Sequence, residues 1–325
     1  MTAALPIPPP MPSAQLDEAK PLTRFCFGSC YAPQLHKSHV WREILALRPD
    51  VFLYLGDNVY QRAETGHPDL LELREAYGLL AEDADFAALR AATPVLPVWD
   101  DHDYGMNNAG ASFPPRRQTE ALFKHVWAVP PEDARSKREG VYFAGTIGPA
   151  GQRTQLILLD LHYFMTSDTL LGDVQWAWLA ETLAAPADLR FLASSIPVLC
   201  DSERLDGWRR YPVERQHLLD LIGRCNGVVI LSGDSHVGAF YRRSVGLTYP
   251  LLELTASSLN FPWGEELHEP PGPPDPARIG EVLWEANFGA VDIDWNIGEI
   301  ALTLYEDTGR LVRTERISLA ALTAR

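Results

Sequence analysis

The chain has 325 residues, a mass of 36.2 kDa and a formal net charge of −15. This length suffices for one large α/β domain or two smaller ones, and a hydrophobic content of 46% with nine tryptophans supplies a core. The acidic charge argues against a nucleic-acid partner, because a phosphate backbone requires a basic face. It does not exclude an anionic substrate, since bound cations can reverse the sign of the local potential.

Cysteine usage and the N-terminal composition bear on the cellular location. Cys26, Cys30, Cys200 and Cys225 are too few for a disulfide framework, and the first two share one face of a predicted strand. Residues 1–21 contain six prolines and no apolar signal-peptide core, so we expect a flexible lead-in. No apolar run approaches the roughly 20 residues that a membrane span requires. These features predict a cytoplasmic protein.

Residues 22–325 predict a single domain in which strands alternate with helices. Helices are predicted at 38–47, 69–92, 117–129, 174–183 and 212–224. Strands are predicted at 24–30, 51–55, 94–99, 141–144, 154–161, 191–195, 228–232, 287–294, 299–305 and 310–317. Residues 104–115 predict an irregular loop over the site, and the proline-rich residues 262–276 predict a lid or rim loop rather than a linker. No internal repeat is present, so helices packed on a mixed sheet or a pair of sheets are expected.

Four predicted strands end in residues that can ligate metals. The strand ends carry Cys30, then Asp57 with Tyr60 three residues later, then Asp100-Asp101-His102-Asp103, and finally Asp234 and His236. Ligand sites of α/β sheets lie at such ends. Carboxylates so close together would repel one another and raise each other's pKa unless a cation were bound. The pattern therefore predicts a metal site at one edge of the sheet.

Each motif also has an ordinary explanation when it is taken alone. A Gly-Asp pair after a strand is usually a turn or a helix N-cap, and a cysteine in an apolar strand is usually core. The metal interpretation rests on four such ends in the same position relative to their strands. A metal-free hydrolase with Ser29 or Ser194 as nucleophile is a further alternative, but neither serine lies in a Gly-x-Ser-x-Gly elbow.

The order and spacing of these motifs resemble the PhoD-like (alkaline phosphatase D) family of calcineurin-like metallophosphoesterases. The resemblance is carried by Gly28-Ser29-Cys30, Gly56-Asp57-x-x-Tyr60, Trp99-Asp100-Asp101-His102-Asp103 and Ser232-Gly233-Asp234-Ser235-His236. It implies an α/β (α+β) fold with a two-sheet β-sandwich core flanked by helices (αββα). It also implies metal-dependent hydrolysis of phosphate monoesters, diesters or both, by a metal-activated water at a polynuclear centre. The expected substrate is a small-molecule or lipid-headgroup phosphate ester.

The resemblance also assigns residues to roles. The implied metal ligands are Cys30, Asp57, Tyr60, Asp101, Asp234 and His236. The implied cofactors are Fe(III) and one or more divalent cations. A thiolate, a carboxylate and a phenol would hold the Fe(III), and the expected divalent cation is Ca²⁺, with Mn, Mg or Zn as alternatives. His102 would protonate the leaving oxygen or stabilise charge on the phosphoryl group, and Asp103 would orient the His102 ring.

One departure from the family pattern concerns the anion contact. Where relatives commonly carry Leu-Asp-Thr-Arg, this chain has Leu-Asp-Leu-His at 159–162, so a guanidinium is missing. Arg209 or Arg210 would supply the contact, unless both are solvated surface charges. Ser194 and Ser195 stand where the superfamily places a histidine ligand, and their hydroxyls suit phosphate better than metal. The alternative function is a catalytically weak or inactive metal-binding scaffold on the same fold.

Overall fold

The computed structural model describes residues 7–244, 246–264 and 275–323. The strands in this part are β1 (Arg24–Gly28), β2 (Phe52–Leu55), β3 (Val95–Val98), β4 (Phe143–Ile147), β5 (Thr154–Leu158), β6 (Leu189–Ser194), β7 (Val228–Ser232), β8 (Gly238–Arg243), β9 (Leu251–Ala256), β10 (Arg278–Leu283), β11 (Asn287–Asp294), β12 (Glu299–Glu306) and β13 (Leu311–Ser318). The helices are α1 (His39–Ala46), α2 (Leu71–Glu82), α3 (Ala84–Ala92), α4 (Asp101–Tyr104), α5 (Arg116–Val126), α6 (Gly172–Ala184) and α7 (Pro212–Ile222).

The strands form two mixed sheets. The first has six strands in the order β13-β12-β11-β1-β2-β3, and the second has seven in the order β10-β8-β9-β7-β6-β5-β4. In the first sheet β1, β2 and β3 are parallel and β11 to β13 form an antiparallel meander. In the second sheet β5, β6, β7 and β9 are parallel. The parallel strands align their carboxyl ends at the same edge of each sheet, where ligand sites form.

The two sheets pack face to face, with helices on their outer faces. Phe25 of β1 meets Phe191 of β6 edge to face, with ring centroids 4.7 Å apart. On the outer face of the first sheet, Trp41 of α1 packs against Phe52 of β2 and Phe86 of α3, at 5.6 and 4.8 Å. Because both faces of the sheets are covered, their strands are nearly continuous apolar runs. The predicted fold class, a two-sheet sandwich flanked by helices, is confirmed.

The structure differs from the predicted elements in two main respects. The helix predicted over 69–92 is two helices, because the extended backbone of Asp83 ends α2 and its carboxylate caps α3 by accepting from the N–H groups of Asp85 and Phe86. Strands β8 to β10 were not predicted. Within the loop predicted over 262–276, residues 265–274 lie outside the described part of the chain.

The lead-in contacts the domain from residue 8 onwards. Met11 is buried, and its N–H donates to the carbonyl of Val126 at 2.6 Å. Ala14 and Glu18 hydrogen-bond to Arg90 and Gly148 through the backbone. The described part of the expected flexible lead-in is therefore not a free tail. Among the described residues, no helix is long and apolar enough to cross a membrane.

Two glycines give opposite expectations for stability. A Cβ on Gly289 of β11 would lie 2.3 Å from Cε1 of Phe27, its buried neighbour on β1, whereas a Cβ on Gly78 of α2 would meet nothing within 4 Å. Gly289→Ala should lower the free energy of unfolding by about 1–3 kcal/mol because it overpacks the core. Gly78→Ala should raise it by about 0.5–1 kcal/mol because it removes helix-disfavouring glycine. Urea unfolding of both variants checks this, and a Gly289→Ala protein as stable as the parent would contradict the packing described.

Candidate metal centre

The carboxyl ends of β1, β2, β3 and β7 lie together at one edge of the sandwich. Backbone hydrogen bonds continue the pairing of β1 with β2 beyond the strands. Cys30 N–H donates to Gly56 O at 3.4 Å, and Tyr31 N–H donates to Asp57 O at 3.0 Å. These bonds set Cys30 beside Asp57, so the two residues that follow different strands come within reach of one ion.

Two glycines allow these strand ends to approach one another closely. Gly56 has a φ of +92°, and a Cβ there would lie 2.5 Å from the Cβ of Asp100. A Cβ on Gly233, which follows β7, would lie 2.6 Å from the hydroxyl oxygen of Ser29 on the opposite sheet. A side chain at either position would push apart the segments that carry the acidic residues.

The backbone is strained where the predicted ligands sit. Cys30, Asp57, Asp234 and His236 have φ values of 58°, 46°, 62° and 53°, in the left-handed region that most residues with a side chain avoid. They are four of the nine non-glycine residues with positive φ in the described part of the chain. Such conformations persist where surrounding structure imposes them, and they concentrate at functional sites.

A first donor group consists of Cys30, Asp57, Tyr60 and His236. The thiol of Cys30 lies 3.6 Å from Asp57 Oδ2, and the Tyr60 hydroxyl donates to the same oxygen at 2.5 Å. The Tyr60 oxygen lies 3.1 Å from His236 Nε2. Burial raises the pKa of the Cys30 thiol and the Tyr60 phenol well above their usual values. Both groups would therefore lose their protons only beside a cation.

The tautomer of His236 suits metal binding. Its Nδ1 lies 2.5 Å from the carbonyl oxygen of Phe261, which can only accept, so Nδ1 carries the hydrogen. Burial lowers the pKa of His236 to about 4, which keeps the ring neutral at pH 7. Nε2 then presents a lone pair toward Tyr60 and the rest of the donor group. A backbone carbonyl that holds the other ring nitrogen is the usual support of a metal-ligating histidine.

A second donor group consists of Asp57, Asp100, Asp101 and Asp234, with one oxygen of each within 4.8 Å of the others. Asp100 Oδ2 and Asp101 Oδ1 are buried and accept no hydrogen bond from the described residues. Burial, and then the charges of neighbouring carboxylates, raise the pKa of Asp57 and Asp234 well above the usual range. Buried acceptors without partners are rare and costly, so this group fits a hard cation such as Ca²⁺.

Asp57 belongs to both donor groups, and the two groups differ in chemistry. The first offers sulfur, nitrogen, phenol and carboxylate donors, and the second offers carboxylates alone. Donors of these two kinds select different metals, and a shared carboxylate would hold the two ions close together. All six predicted ligands lie in one of the groups. Asp100 was not among these six ligands, although the sequence places it in the same strand-end cluster as Asp101.

His102 is held by a residue that the sequence did not predict. Its Nδ1 is hydrogen-bonded to Glu64, whose other oxygen accepts from the N–H of Asn107 at 2.7 Å. Burial lowers the pKa of His102, but Glu64 and the charges of Asp57 and Asp101 outweigh that effect and raise it to about 10. His102 is therefore an imidazolium at pH 7 in this arrangement, and its Nε2 lies 3.9 Å from Asp101 Oδ1.

Asp103 is bonded elsewhere than the sequence predicts. One of its oxygens accepts from the N–H groups of Asp57 and Asp100, at 3.1 and 2.7 Å, and the other accepts from the Asn58 amide at 2.5 Å. Because residues 102 and 103 are consecutive in α4, their side chains leave the helix about 100° apart and do not face each other. Asp103 thus fixes the backbone after β2 and β3, and Glu64 takes the orienting role expected of it.

One of the four predicted substrate-binding residues lines a cavity that the described residues form at this centre. Arg210 borders a cavity of about 220 Å³ that also touches Asp100, Asp101 and Asp234. Arg209 instead donates from Nε to the carbonyl of Ser202 at 2.5 Å. Its contact is structural, which corrects the expectation for Arg209.

The two serines are buried and engaged within the protein. Ser194 Oγ donates to the carbonyl of Ile196 at 2.6 Å and accepts from the indole of Trp208 at 3.0 Å. Ser195 Oγ donates to Asp100 Oδ1 at 2.5 Å. Both side chains are fully buried, so neither hydroxyl is placed to receive a phosphate. Ser195 instead supports a member of the second donor group.

His162, which stands in place of the expected arginine, also binds Asp100. Its Nε2 lies 2.7 Å from Asp100 Oδ1, and its Nδ1 lies 2.9 Å from the carbonyl oxygen of Ala109. Burial lowers the pKa of His162, but the hydrogen bond and charge of Asp100 outweigh it and raise the pKa to about 9. The cation at this position therefore offsets the charge of Asp100, and both ring nitrogens are occupied.

Comparison with known proteins identifies the family. A family model described as PhoD-like phosphatase matches residues 25–125 and 156–293, which is well over half of the chain. The chain belongs to the PhoD-like phosphatase family. Membership supports phosphoesterase activity and dependence on metal, in agreement with the two donor groups. A search of curated proteins found no match.

Solved structures show the same fold as this PhoD-like chain. A structure of PhoD superposes with a TM-score of 0.71 at 16% identity, covering 94% of this chain and 73% of that one. A second structure, GAP50, described as the anchor in the inner membrane complex of Plasmodium, gives a TM-score of 0.61 at 12% identity and covers 92% of this chain and 89% of that one. At these identities the likeness establishes the fold alone.

The crowded carboxylates predict how metal removal affects stability. Burial raises the pKa of Asp57 and Asp234, and it raises that of Asp103 to about 7. Groups with raised pKa stabilise the folded state fully below their ordinary pKa of about 4, and this contribution is lost as pH rises through the raised values. A bound cation replaces the protons. The gap in Tm between metal-loaded and chelator-treated protein should therefore widen from pH 5 to pH 8.

Calorimetry of both forms across that range measures the gap, and taking the difference cancels titrations that the two forms share. Asp292→Asn, which removes an acidic group paired with Arg24 at the opposite end of β1, is the matched control and should leave the widening unchanged. A gap that stays constant or narrows toward pH 8 would contradict the cation requirement.

Proposed function

We propose that this chain hydrolyses phosphate esters, monoesters, diesters or both, at a polynuclear metal centre. The observation that carries the proposal is the pair of chemically distinct donor groups that share Asp57. Beside them lie a cationic histidine and a cavity bordered by an arginine. An arrangement of this kind suits in-line displacement at phosphorus, where negative charge must be neutralised on the attacking and leaving oxygens.

The first donor group is proposed to hold Fe(III) through Cys30, Asp57 and Tyr60, with His236 completing it. The second is proposed to hold a divalent cation through carboxylates of Asp57, Asp101 and Asp234. Ca²⁺ fits an all-oxygen set best, with Mn, Mg or Zn as the alternatives. To this set we add Asp100, because its Oδ2 is buried and accepts no hydrogen bond within the described chain. When bound, such cations lower the pKa of a coordinated water and stabilise charge on the phosphoryl oxygens.

His102 is proposed to act on the leaving oxygen. Glu64 binds Nδ1 and fixes the ring, so Nε2 is the nitrogen left to hold or release a proton. Nε2 lies 3.9 Å from Asp101 Oδ1, within the acidic edge where a phosphoryl group would be neutralised. A cationic imidazole at that point can protonate the departing oxygen or stabilise charge that develops there. Arg210 is proposed as the guanidinium that contacts a phosphoryl oxygen.

An inactive metal-binding scaffold is the second candidate. The observation that favours it is the bonding of His162, the residue that stands where the resemblance leads one to expect arginine. Both of its ring nitrogens are engaged, one by Asp100 and one by the carbonyl of Ala109, so the ring is not free to contact an anion. GAP50, with the same fold, is described as the anchor in the inner membrane complex of Plasmodium. Under this candidate the chain would bind metal without turning over any ester.

A small-molecule or lipid-headgroup ester as substrate, and a cytoplasmic location, remain part of the first proposal.

Replacing the shared carboxylate tests the centre directly. Protein purified without added metals or chelators should contain iron and a second, divalent metal, and should hydrolyse a generic aryl phosphate. Asp57→Asn should lose both metals and reduce kcat by at least about a hundredfold, because the amide cannot carry the charge that bridges two cations. Elemental analysis and a colorimetric assay measure the two effects, and Asp292→Asn should change neither.

Retained turnover in Asp57→Asn would overturn the bridging role. Metal in the parent protein with no turnover of any phosphate monoester or diester would favour the scaffold candidate over the hydrolase. Absence of metal, even after iron and calcium are supplied, would contradict both candidates.

The contact between Glu64 and His102 predicts non-additive kinetics. His102→Ala should lower kcat by about 10²–10⁴ with metal content unchanged. Glu64→Gln should lower kcat by about tenfold or more in the parent, because the ring loses its charged partner, but should have little further effect in the His102→Ala background. Steady-state kinetics of the four proteins, with metal analysis of each, checks this.

Additive losses would show that Glu64 acts independently of the ring. Loss of metal in His102→Ala would reassign His102 as a ligand, which is a realistic test because its ligand atom lies within 4.8 Å of those of Asp57 and Asp101.

A further inference from the structure

The cavity beside the second donor group is lined by both carboxylates and apolar side chains. Its volume is about 220 Å³, and one side is formed by the carboxylates of Asp100, Asp101 and Asp234. Most of its exposed lining surface is nonetheless apolar, and the apolar and aromatic lining residues are Leu161, Met165, Leu170, Ile196 and Tyr211, beside Gly207 and the polar Asn108, His162, Asp206 and Arg210. A phosphoryl group bound at the carboxylate side would therefore have an apolar surface next to it, and not only solvent.

The apolar wall has a fixed shape. Leu161 and Leu170 are buried almost completely. Tyr211 donates its hydroxyl to the carbonyl of Thr166 at 2.9 Å, so the ring has its polar atom satisfied away from any ligand. The carbonyl of Met165 accepts from the N–H of Ala111 at 2.8 Å, which ties this wall to the loop after α4. The cavity is thus pre-formed, and filling it would cost little ordering.

The size of the cavity limits what it can hold. An apolar cavity of about 150 Å³ is enough for benzene, whereas sites for drug-sized ligands begin near 300 Å³. At about 220 Å³, the cavity accommodates a phenyl ring or a short branched alkyl chain with little space left. A nucleoside or a diacylglycerol would extend beyond the cavity into solvent. Arg210, paired with Asp206, is one of the polar residues of the wall, together with Asn108 and His162.

The cavity also adjoins the proposed proton donor. Asp101 lines it, and His102 Nε2 lies 3.9 Å from Asp101 Oδ1. An organic group in the cavity would thus place its ester oxygen near the nitrogen that is proposed to protonate it. We infer that this cavity is the subsite for the organic group of the substrate, and that it selects phosphate esters of compact, apolar alcohols or phenols. The inference rests on the proposed function, because it places the phosphoryl group at the metal centre.

A binding experiment separates this inference from turnover. Phenylphosphonate cannot be hydrolysed, so calorimetry on the metal-loaded protein can compare it with methylphosphonate and inorganic phosphate. Burying the ring in the apolar cavity should make phenylphosphonate bind about tenfold or more tightly than the other two. Met165→Trp, which fills the cavity, should remove that preference without changing the affinity for inorganic phosphate. Met165→Ala, which enlarges the cavity, should shift the preference toward naphthylphosphonate.

Met106→Ala is the matched control, because Met106 is a half-buried methionine in the loop after α4 that packs against Gly66 and is not among the lining residues of the cavity. It should leave all preferences unchanged. Equal affinity for the three anions, or a Met165 effect that is the same for phosphate and phenylphosphonate, would overturn the subsite. Preferential binding of phenylphosphonate without hydrolysis of any ester would instead retain the subsite and refute the proposed catalysis. If none of the anions bound, both would fall.

Discussion

The folded structure holds four carboxylates together at one edge of the sandwich, and it depends on how their mutual repulsion is offset. Asp57, Asp100, Asp101 and Asp234 lie within a few ångströms of one another, and burial raises the pKa of Asp57 and Asp234 well above the usual range. In water such carboxylates would separate and hydrate; here the strand ends do not allow it. The fold therefore accepts an electrostatic penalty that a cation, or protons in its absence, must remove.

The same edge shows how the fold enforces that crowding. Gly56 and Gly233 let the ends of β2 and β7 approach their neighbours more closely than any side chain would permit. Asp103 then accepts hydrogen bonds from the backbone of Asp57 and Asp100, which fixes the two segments relative to each other. Left-handed backbone at the predicted ligands is the conformational part of the cost. The packing of the two sheets provides the free energy that holds these residues in backbone conformations that they would not adopt by local preference alone.

The candidate ligands could be located from the sequence because each follows one of four strands, and strand ends are visible as the point where an apolar run stops. The partners of those ligands could not. Glu64 lies in a segment without periodicity and reaches His102 only through the path of its loop. Arg209 and Arg210 are adjacent in sequence, and only the three-dimensional path shows that Arg210 lines the cavity. The orienting role expected of Asp103 failed because consecutive helical residues diverge, which the motif does not reveal.

Charge balance explains how an acidic protein can act on an anion. Two imidazolium groups already sit at the centre, His162 against Asp100 and His102 against Glu64, so part of the negative charge is offset by the chain itself. Arg210 is paired with Asp206 and brings little free positive charge. Much of the attraction for a phosphate would therefore come from cations held by the donor groups, in addition to the contacts proposed for Arg210 and His102. His162, which stands where the family resemblance leads one to expect arginine, adds to this dependence, because its ring binds a member of the second donor group and is not free to contact an anion.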